Sequence, residues 1–131
     1  ADVLVMAAAP ADYRPSSPSD AKHPRTDGAL AIPMEPTADI LRATIAVRKR
    51  GSVIVGFALE TENEEANARA KLAKKQCDFV VLNRPEESFG LDTNVVKVFD
   101  ANGEVYRSAA PESKRDFARK LLGLAAARLS G

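Results

Sequence analysis

The sequence has 131 residues, of which 45% are hydrophobic and 28% charged, a composition typical of one globular domain. Its formal net charge of +1 gives no argument for binding nucleic acid or a membrane surface. A single cysteine and a single histidine exclude an internal disulfide framework and a Cys/His zinc site, and a reducing cytoplasm is the simplest compartment.

The first predicted element is a buried strand formed by the apolar run at residues 3–9. Its last three residues are alanines, whose small side chains would leave the backbone open to a planar ring or a phosphate. Residues 12–14, Asp-Tyr-Arg, then follow where open α/β sheets bind ligands, outside the carboxyl ends of the strands. A strand, a turn and a surface salt bridge would explain the same residues.

Residues 16–28 form a polar stretch that is predicted to be a functional loop without regular structure. Its cations are Lys22, Arg25 and His23. Residues 30–34 are predicted to add an extended segment, which a proline restricts to an edge position.

A first helix is predicted to begin at Thr37, a typical N-cap residue, and to end at Gly51. Asp39 lies in its first turn, where a negative charge favours a helix. Its buried stripe would consist of Ile40, Leu41, Thr44 and Ile45.

Residues 53–58 form a β-branched run typical of a strand that is covered on both faces. The capping-box spacing at residues 61–64 predicts a second helix over residues 62–76. Lys71 and Lys75 lie four residues apart and therefore on one face of this helix. A solvated face would also explain this lysine pair.

Residues 77–83 are predicted to form a third buried strand, and residues 95–99 and 104–106 a hairpin with an Asn-Gly turn. A last helix over residues 113–129 would pack four side chains against the sheet: Phe117, Leu121, Leu124 and Ala125. The order of elements predicts a three-layer, Rossmann-like α/β fold with a mostly parallel sheet flanked by helices and an antiparallel hairpin.

Residues 1–131 are expected to be the C-terminal portion of a larger domain, because a buried first strand normally lies in the middle of a wound sheet. The missing N-terminal strands would supply a glycine-rich phosphate turn, since the sequence contains no G-x-G-x-x-G or Walker pattern.

Six motifs in order resemble the phosphopantothenoylcysteine synthetase family, which in bacteria usually forms the C-terminal part of a bifunctional coenzyme A biosynthesis protein. They are residues 7–15, the basic loop with Lys22, residues 39–41, residues 56–61, residues 71–75, and residues 78–83 followed by 89–94. The resemblance covers essentially the whole chain.

The resemblance implies a ligase that joins 4'-phosphopantothenate to cysteine. CTP with Mg²⁺ would activate the carboxylate as an acyl-cytidylate and release pyrophosphate, after which the cysteine amine attacks. Family members commonly form homodimers through this domain, and the hairpin offers an exposed edge for such pairing. FMN would belong only to a fused decarboxylase domain outside this chain. The 131 residues alone are expected to bind nucleotide weakly and to catalyse nothing.

By matching motifs, the resemblance also implies a set of nucleotide-binding residues: Met6, Ala7, Ala8, Asp12, Lys22, Thr37, Ala38, Asp39, Ile40, Phe57, Lys71 and Lys75. Asp12 would additionally hold the magnesium ion. Lys22 would reach in from the loop as a catalytic residue, and residues 37–40 would present a helix N-terminus to phosphate. Cys77 is expected to be a small buried hydrophobe rather than a nucleophile.

The sequence departs from the family pattern in the loop, where Lys22-His23-Pro24-Arg25 replaces a Lys-x-Lys-Lys run. Two other functions therefore stay open. One is a nucleotide-binding or assembly domain without catalysis, and the other is an α/β interaction domain with no small-molecule site.

Overall fold

The computed structural model describes residues 1–22, 24–25, 27–59, 63–83 and 90–130. The strands are β1 (Val3–Met6), β2 (Tyr13–Pro15), β3 (Met34–Pro36), β4 (Val53–Leu59), β5 (Phe79–Asn83), β6 (Thr93–Asn94), β7 (Val96–Asp100), β8 (Gly103–Arg107) and β9 (Glu112–Ser113). The helices are α1 (Ile40–Thr44), α2 (Glu64–Lys75) and α3 (Lys114–Ser130). None of the described helices is long and apolar enough to span a membrane.

The central sheet has five strands in the order β1-β4-β5-β7-β8. β1, β4 and β5 run parallel, while β5, β7 and β8 pair antiparallel. Helix α2 covers one face through Ala68 and Leu72, and α3 covers the other through Phe117 and Leu121. The predicted fold is confirmed: the parallel strands lie between helices, and the hairpin extends the sheet.

The two central strands are the most buried part of the molecule. Val55 in β4 and both Val80 and Val81 in β5 have no exposed surface. Side chains that alternate along a strand point to opposite faces, and here both faces meet a helix, which explains the continuous apolar runs. β5 begins two residues later than predicted, because the carboxylate of Asp78 accepts a hydrogen bond from the backbone N–H of Ile54 at 2.8 Å.

The first strand differs from its prediction in length and in burial. β1 ends at Met6, and Val5 is 39% exposed. The expectation of a buried strand over residues 3–9 is wrong, because β1 lies at the edge of the described sheet and pairs only with β4.

Helix α1 is also shorter than predicted. Past Thr44 the chain continues in tight turns, including a hydrogen bond from the N–H of Val47 to the carbonyl of Thr44 at 3.0 Å. In the predicted buried stripe Leu41 is buried and both Thr44 and Ile45 are half-buried. The expectation is wrong for Ile40, which begins this short helix and is 47% exposed. Gly51, with a φ of 77°, follows these turns in a left-handed conformation that favours glycine.

Helix α2 ends as predicted at Gln76, whose φ of 49° and backbone hydrogen bonds to the last turn close the helix. At its start, Asn63 has a φ of 51° and makes no capping hydrogen bond through its side chain. Residues 61 and 62 of the predicted capping box lie outside the described residues.

Two short ribbons were not predicted as paired strands by the sequence. β2 pairs with β3, and β6 pairs with β9, each over two or three residues. Such short segments carry too little alternation of apolar and polar residues to reveal their partners.

The hairpin and the last helix agree with their predictions. Gly103 turns the hairpin with a φ of 135°, while the carboxylate of Asp100 accepts hydrogen bonds from the next turn residues. The hydroxyl of Ser113 accepts a hydrogen bond from the backbone N–H of Asp116 at 3.0 Å and so caps α3.

Glu112 joins the hairpin, β9 and α3 through a cluster of hydrogen bonds. Its carboxylate accepts from Ser108 and Lys120, both at 2.7 Å, and from the Tyr106 hydroxyl. Burial raises the pKa of Glu112, but the hydrogen bonds from these three side chains outweigh it and hold the pKa below its ordinary value.

We expect Glu112→Gln to lower the free energy of unfolding by about 2 kcal/mol at pH 7, because the substitution removes charge-assisted hydrogen bonds from a mostly buried carboxylate. The lowered pKa makes this stabilisation fully present above pH 4.5, the ordinary pKa of the group, and lost as the pH falls through the folded-state pKa. The free energy of unfolding is measured by urea denaturation of the wild type and of Glu112→Gln at roughly ten pH values between about pH 3 and about pH 8.

Glu104→Gln in β8 is the matched control. Glu104 pairs with Arg107 on the surface, where the Arg107 side chain is 57% exposed, so its loss should change stability far less. Equal effects of the two substitutions, or a loss of stability in Glu112→Gln that does not shrink as the pH falls below 4.5, would contradict the role assigned to Glu112.

Candidate functional site

A cleft of about 560 Å³ lies at the carboxyl ends of the three parallel strands β1, β4 and β5. This is the edge of an open α/β sheet where ligands bind. Four parts of the chain line it: residues 6–12 after β1, residues 37–41 at the start of α1, residues 57–59 with Asn83 at the ends of β4 and β5, and Lys71 with Lys75 of α2.

The wall after β1 is built from small residues that leave the sheet as soon as the strand ends. Met6 is the last residue of β1, and the three alanines that follow are exposed to the cleft. Thr37 fixes this wall, since its N–H donates to the carbonyl of Asp12 at 2.9 Å and its hydroxyl donates to the carbonyl of Ala11. The predicted opening at the end of the first strand is therefore present, and its backbone is tied to the segment before α1.

The start of α1 is organised by Asp39, and the prediction that Thr37 is the N-cap is wrong. One carboxylate oxygen of Asp39 accepts from the backbone N–H of Arg42 at 3.1 Å, and the other pairs with Lys75. The hydroxyl of Thr37 donates its hydrogen bond to the wall after β1 instead. The Asp39 carboxylate therefore occupies one backbone N–H of the first turn, and the binding of phosphate by residues 37–40 stays a prediction.

Lys71 and Lys75 both reach into the cleft from one face of α2. The ammonium group of Lys71 donates to the backbone carbonyl of Phe57, and that of Lys75 pairs with Asp39. The side chain of Lys75 is only 19% exposed, so the face of α2 that carries the two lysines is not a fully solvated one. Each ammonium group has three donors, and each is joined to one partner among the described residues, which leaves donors that can face a bound anion.

The acidic groups of the cleft do not form a preformed metal centre. No group of three or more Asp, Glu, His or Cys that could hold a metal ion occurs within the described ranges. Asp12 lines the cleft, and no described residue donates a hydrogen bond to its carboxylate. One free carboxylate fits a Mg²⁺ ion that keeps most of its water and substrate-phosphate ligands.

Lys22 is the one predicted nucleotide-binding residue that does not line the cleft. The ribbon of β2 and β3 begins directly after Asp12 and returns directly before Thr37. Lys22 lies in the connection between the far ends of these two strands, beyond the backbone hydrogen bond from Ser16 to Pro33. The catalytic role of Lys22 stays a prediction, and the neighbouring His23 lies outside the described residues.

Cys77 lies between α2 and β5 and is half-buried rather than fully buried. Its sulfur would lie 3.2 Å from a Cβ placed on Gly56, so glycine at this position lets β4 approach the thiol closely. Burial raises the pKa of the Cys77 thiol, with nearby Lys71 opposing this effect. Cys77 does not line the cleft, and its raised pKa favours the protonated thiol at neutral pH.

The predicted set of nucleotide-binding residues lacks several residues that line the cleft: Ala9, Pro10, Ala11, Leu41, Ala58, Leu59 and Asn83. Of these, Ala9 was expected to leave the backbone after the first strand open, and residues 58 and 59 were expected to belong to a second edge of the site. Most of them are neighbours in sequence of residues that were identified. Asn83 is different, because it ends the third parallel strand and belongs to one of the six motifs, but no binding role was predicted for it. A polar residue at the carboxyl end of a buried strand was the available signal.

The chain matches the family model described as the DNA/pantothenate metabolism flavoprotein C-terminal domain over residues 1–128. Among curated relatives, a cysteine/cysteine sulfinic acid decarboxylase from an unknown prokaryotic organism is 36% identical over 129 residues. The coenzyme A biosynthesis bifunctional protein CoaBC of Bacillus subtilis (strain 168) is 37% identical over 105 residues. These two matches cover 94% and 78% of this chain but only 36% and 26% of the relatives, so the chain spans about a third or a quarter of their length.

Solved structures agree with the sequence relatives. The crystal structure of the C-terminal domain of the coenzyme A biosynthesis bifunctional protein CoaBC superposes with a TM-score of 0.68 at 32% identity, covering 94% of this chain and 52% of that one. The DNA/pantothenate metabolism flavoprotein from Streptococcus pneumoniae has a TM-score of 0.72 at 21% identity, covering 96% and 63%, and supports the fold alone.

Proposed function

We infer the function from a family relationship: the chain belongs to the DNA/pantothenate metabolism flavoprotein C-terminal domain family, whose model matches residues 1–128. The family predicted from the sequence motifs is thereby confirmed. Curated relatives such as CoaBC of Bacillus subtilis are coenzyme A biosynthesis proteins. Because this chain spans only part of those relatives, its activity, substrates and partners are matters of proposal.

The proposed reaction is the CTP-dependent ligation of 4'-phosphopantothenate to cysteine. A carboxylate oxygen of phosphopantothenate forms a bond to the α-phosphorus of CTP as the bond to pyrophosphate breaks. The cysteine amine then forms an amide bond to the acyl carbon, loses a proton, and CMP leaves with the carboxyl oxygen. The attacking carboxylate is already ionised at neutral pH, so the first step needs no general base.

The observation that carries this proposal is the cleft at the ends of β1, β4 and β5, lined by Lys71, Lys75 and small residues. Attack at phosphorus adds negative charge to the transferring group, and fixed cations stabilise that charge most effectively in a site that is partly shielded from water. The exposed alanines after β1 leave room for the nucleotide beside these cations.

Magnesium would enter this site together with the triphosphate of CTP. Asp12 is the residue of this chain that would hold it, through a carboxylate that no described side chain or backbone group occupies. The ion would neutralise part of the charge on the phosphates. The contacts with the Phe57 carbonyl and with Asp39 would hold the two lysines of α2 in the cleft, where their remaining donors would bind the triphosphate.

Pyrophosphate release is the experiment that tests the proposed function. The full-length gene product is mixed with CTP, Mg²⁺, phosphopantothenate and cysteine, and pyrophosphate is measured with each substrate omitted in turn. We expect release that requires both CTP and phosphopantothenate, and amide product only when cysteine is added.

Two other outcomes would contradict ligation. CTP binding in calorimetry without any turnover would favour a nucleotide-binding or assembly domain that has lost catalysis. No binding of CTP or of any other triphosphate would favour an α/β interaction domain.

The proposal also includes a cytoplasmic homodimer and, in the bifunctional relatives' arrangement, a fused FMN-dependent decarboxylase domain. β8 ends the described sheet and leaves one edge open for a second copy. Light scattering of the full-length gene product would measure its mass, and a monomer at micromolar concentration would contradict the dimer.

A further inference from the structure

Asn83 is the uncharged polar side chain at the end of β5 in the cleft. Its backbone is held on both sides, by pairing with Leu59 of β4 and with Val96 of β7. Its side chain is half-buried, and among the described residues it has no hydrogen-bond partner. A positioned amide with unused donors and an unused acceptor can therefore bind a ligand group.

The other polar side chains that line the cleft are charged or already hydrogen-bonded within the protein. Lys71 bonds to the carbonyl of Phe57, Lys75 pairs with Asp39, and the hydroxyl of Thr37 bonds to the wall after β1. Asn83 thus differs from its neighbours in being both neutral and unoccupied.

The sheet separates Asn83 from the lysines. Val80 and Leu82 pack toward α2, whereas Phe79 and Val81 pack toward α3, so the alternation of β5 directs Asn83 to the α3 side. Phe57 also packs on the α3 side, whereas the lysines come from α2 on the opposite face.

Two apolar side chains accompany Asn83 on that face. Leu59 is its direct partner in the parallel register and is 44% exposed, and Phe57 lies two residues earlier in β4. An apolar and aromatic surface beside one amide is the combination that binds the face and the edge of a nucleobase.

We propose that Asn83 is a specificity residue that hydrogen-bonds the edge of the cytosine ring, while the lysines of α2 bind the triphosphate. Strand axes in a sheet are about 4.8 Å apart, so Asn83 on β5 lies roughly 10 Å across the sheet from the end of β1. A nucleoside triphosphate is long enough to span from this amide to the wall that carries Asp12. This inference rests on the proposed function, because it names the part of CTP that each face of the cleft binds.

The test compares the wild-type full-length gene product with Asn83→Ala by calorimetry in the presence of Mg²⁺. The probes are CTP, 2'-deoxy-CTP and inorganic tripolyphosphate. We expect Asn83→Ala to weaken CTP and 2'-deoxy-CTP by about tenfold each and to leave tripolyphosphate unchanged, since only the base contact is lost. Because the amide has no described partner to lose, the melting temperature should stay close to that of the wild type.

Asn102→Ala, in the turn between β7 and β8, is the matched loss of an amide away from the cleft and should change none of the three affinities. Equal weakening of tripolyphosphate, an effect on CTP that disappears with 2'-deoxy-CTP, or unchanged CTP binding in Asn83→Ala would each overturn the assignment of Asn83 to the base. If the wild type does not bind CTP, that result would contradict both the proposed function and the role of Asn83.

Discussion

Lys71→Ala should lower kcat/KM for CTP on the order of 100-fold, the typical effect of removing one group that stabilises charge in a transition state. The ammonium group of Lys71 lies at the carbonyl of Phe57, inside the cleft and at the end of a central strand. Alanine removes the positive charge and leaves the buried part of α2, through Ala68 and Leu72, untouched. Steady-state pyrophosphate release measures the effect, and binding of tripolyphosphate should weaken as well.

Lys74→Ala is the control for this substitution. Lys74 belongs to the same turn of α2 but is exposed and does not line the cleft. Its loss removes the same unit of positive charge from α2 but no group of the cleft, so activity within about twofold of wild type is expected. Comparable losses from both substitutions would mean that net charge, rather than the position of Lys71, supports activity.

The largest stability effect is expected for Leu121→Ala in α3, at about 2–5 kcal/mol. Leu121 is 4% exposed and packs with Phe117 and Ala125 against the valines of the sheet. Truncation leaves a cavity at the centre of this layer, and the surrounding strands are held on both sides and cannot collapse into it.

Leu122→Ala is a closely matched comparison, because it makes the same substitution one residue later in the same helix. Leu122 is 56% exposed, so we expect a change within about 1 kcal/mol. Chemical denaturation gives both values. If both substitutions lowered the free energy of unfolding equally, the assignment of Leu121 to the buried face of α3 would be contradicted.

The central strands and the last helix could be predicted because short, continuous patterns of apolar residues in the sequence show which of their residues are buried. β4 and the first four residues of β5 carry no polar side chain, since helices cover both faces of the sheet. The hairpin carries its Asn-Gly turn in the expected place. The face of α3 follows from the spacing of Phe117, Leu121 and Ala125.

The edges were less predictable because their structure depends on neighbours that are distant in sequence. The burial of β1 is set by its place at one side of the sheet, which its own apolar residues do not reveal. α1 stops at Thr44 through local turns, and its cap depends on Asp39, whose second oxygen is bound by Lys75 from another helix. Such tertiary contacts override local propensity.

The cleft was predicted through motif resemblance more than through chemistry. Asp12, Phe57, Lys71 and Lys75 come from separate segments, and the structure brings all four to one cleft. The sequence contains no sign that Lys71 would bond to a backbone carbonyl, since that contact depends on how α2 crosses the end of β4. Asn83 was missed for the same reason, because its neighbours across the sheet were unknown.

A crystal structure of the full-length gene product with CTP and Mg²⁺ is the most direct measurement of where the nucleotide binds. We expect the triphosphate within hydrogen-bond distance of Lys71 and Lys75, and the cytosine ring on the side of Phe57. A nucleotide bound away from the ends of β1, β4 and β5, or triphosphate density that makes no contact with either lysine, would contradict this account.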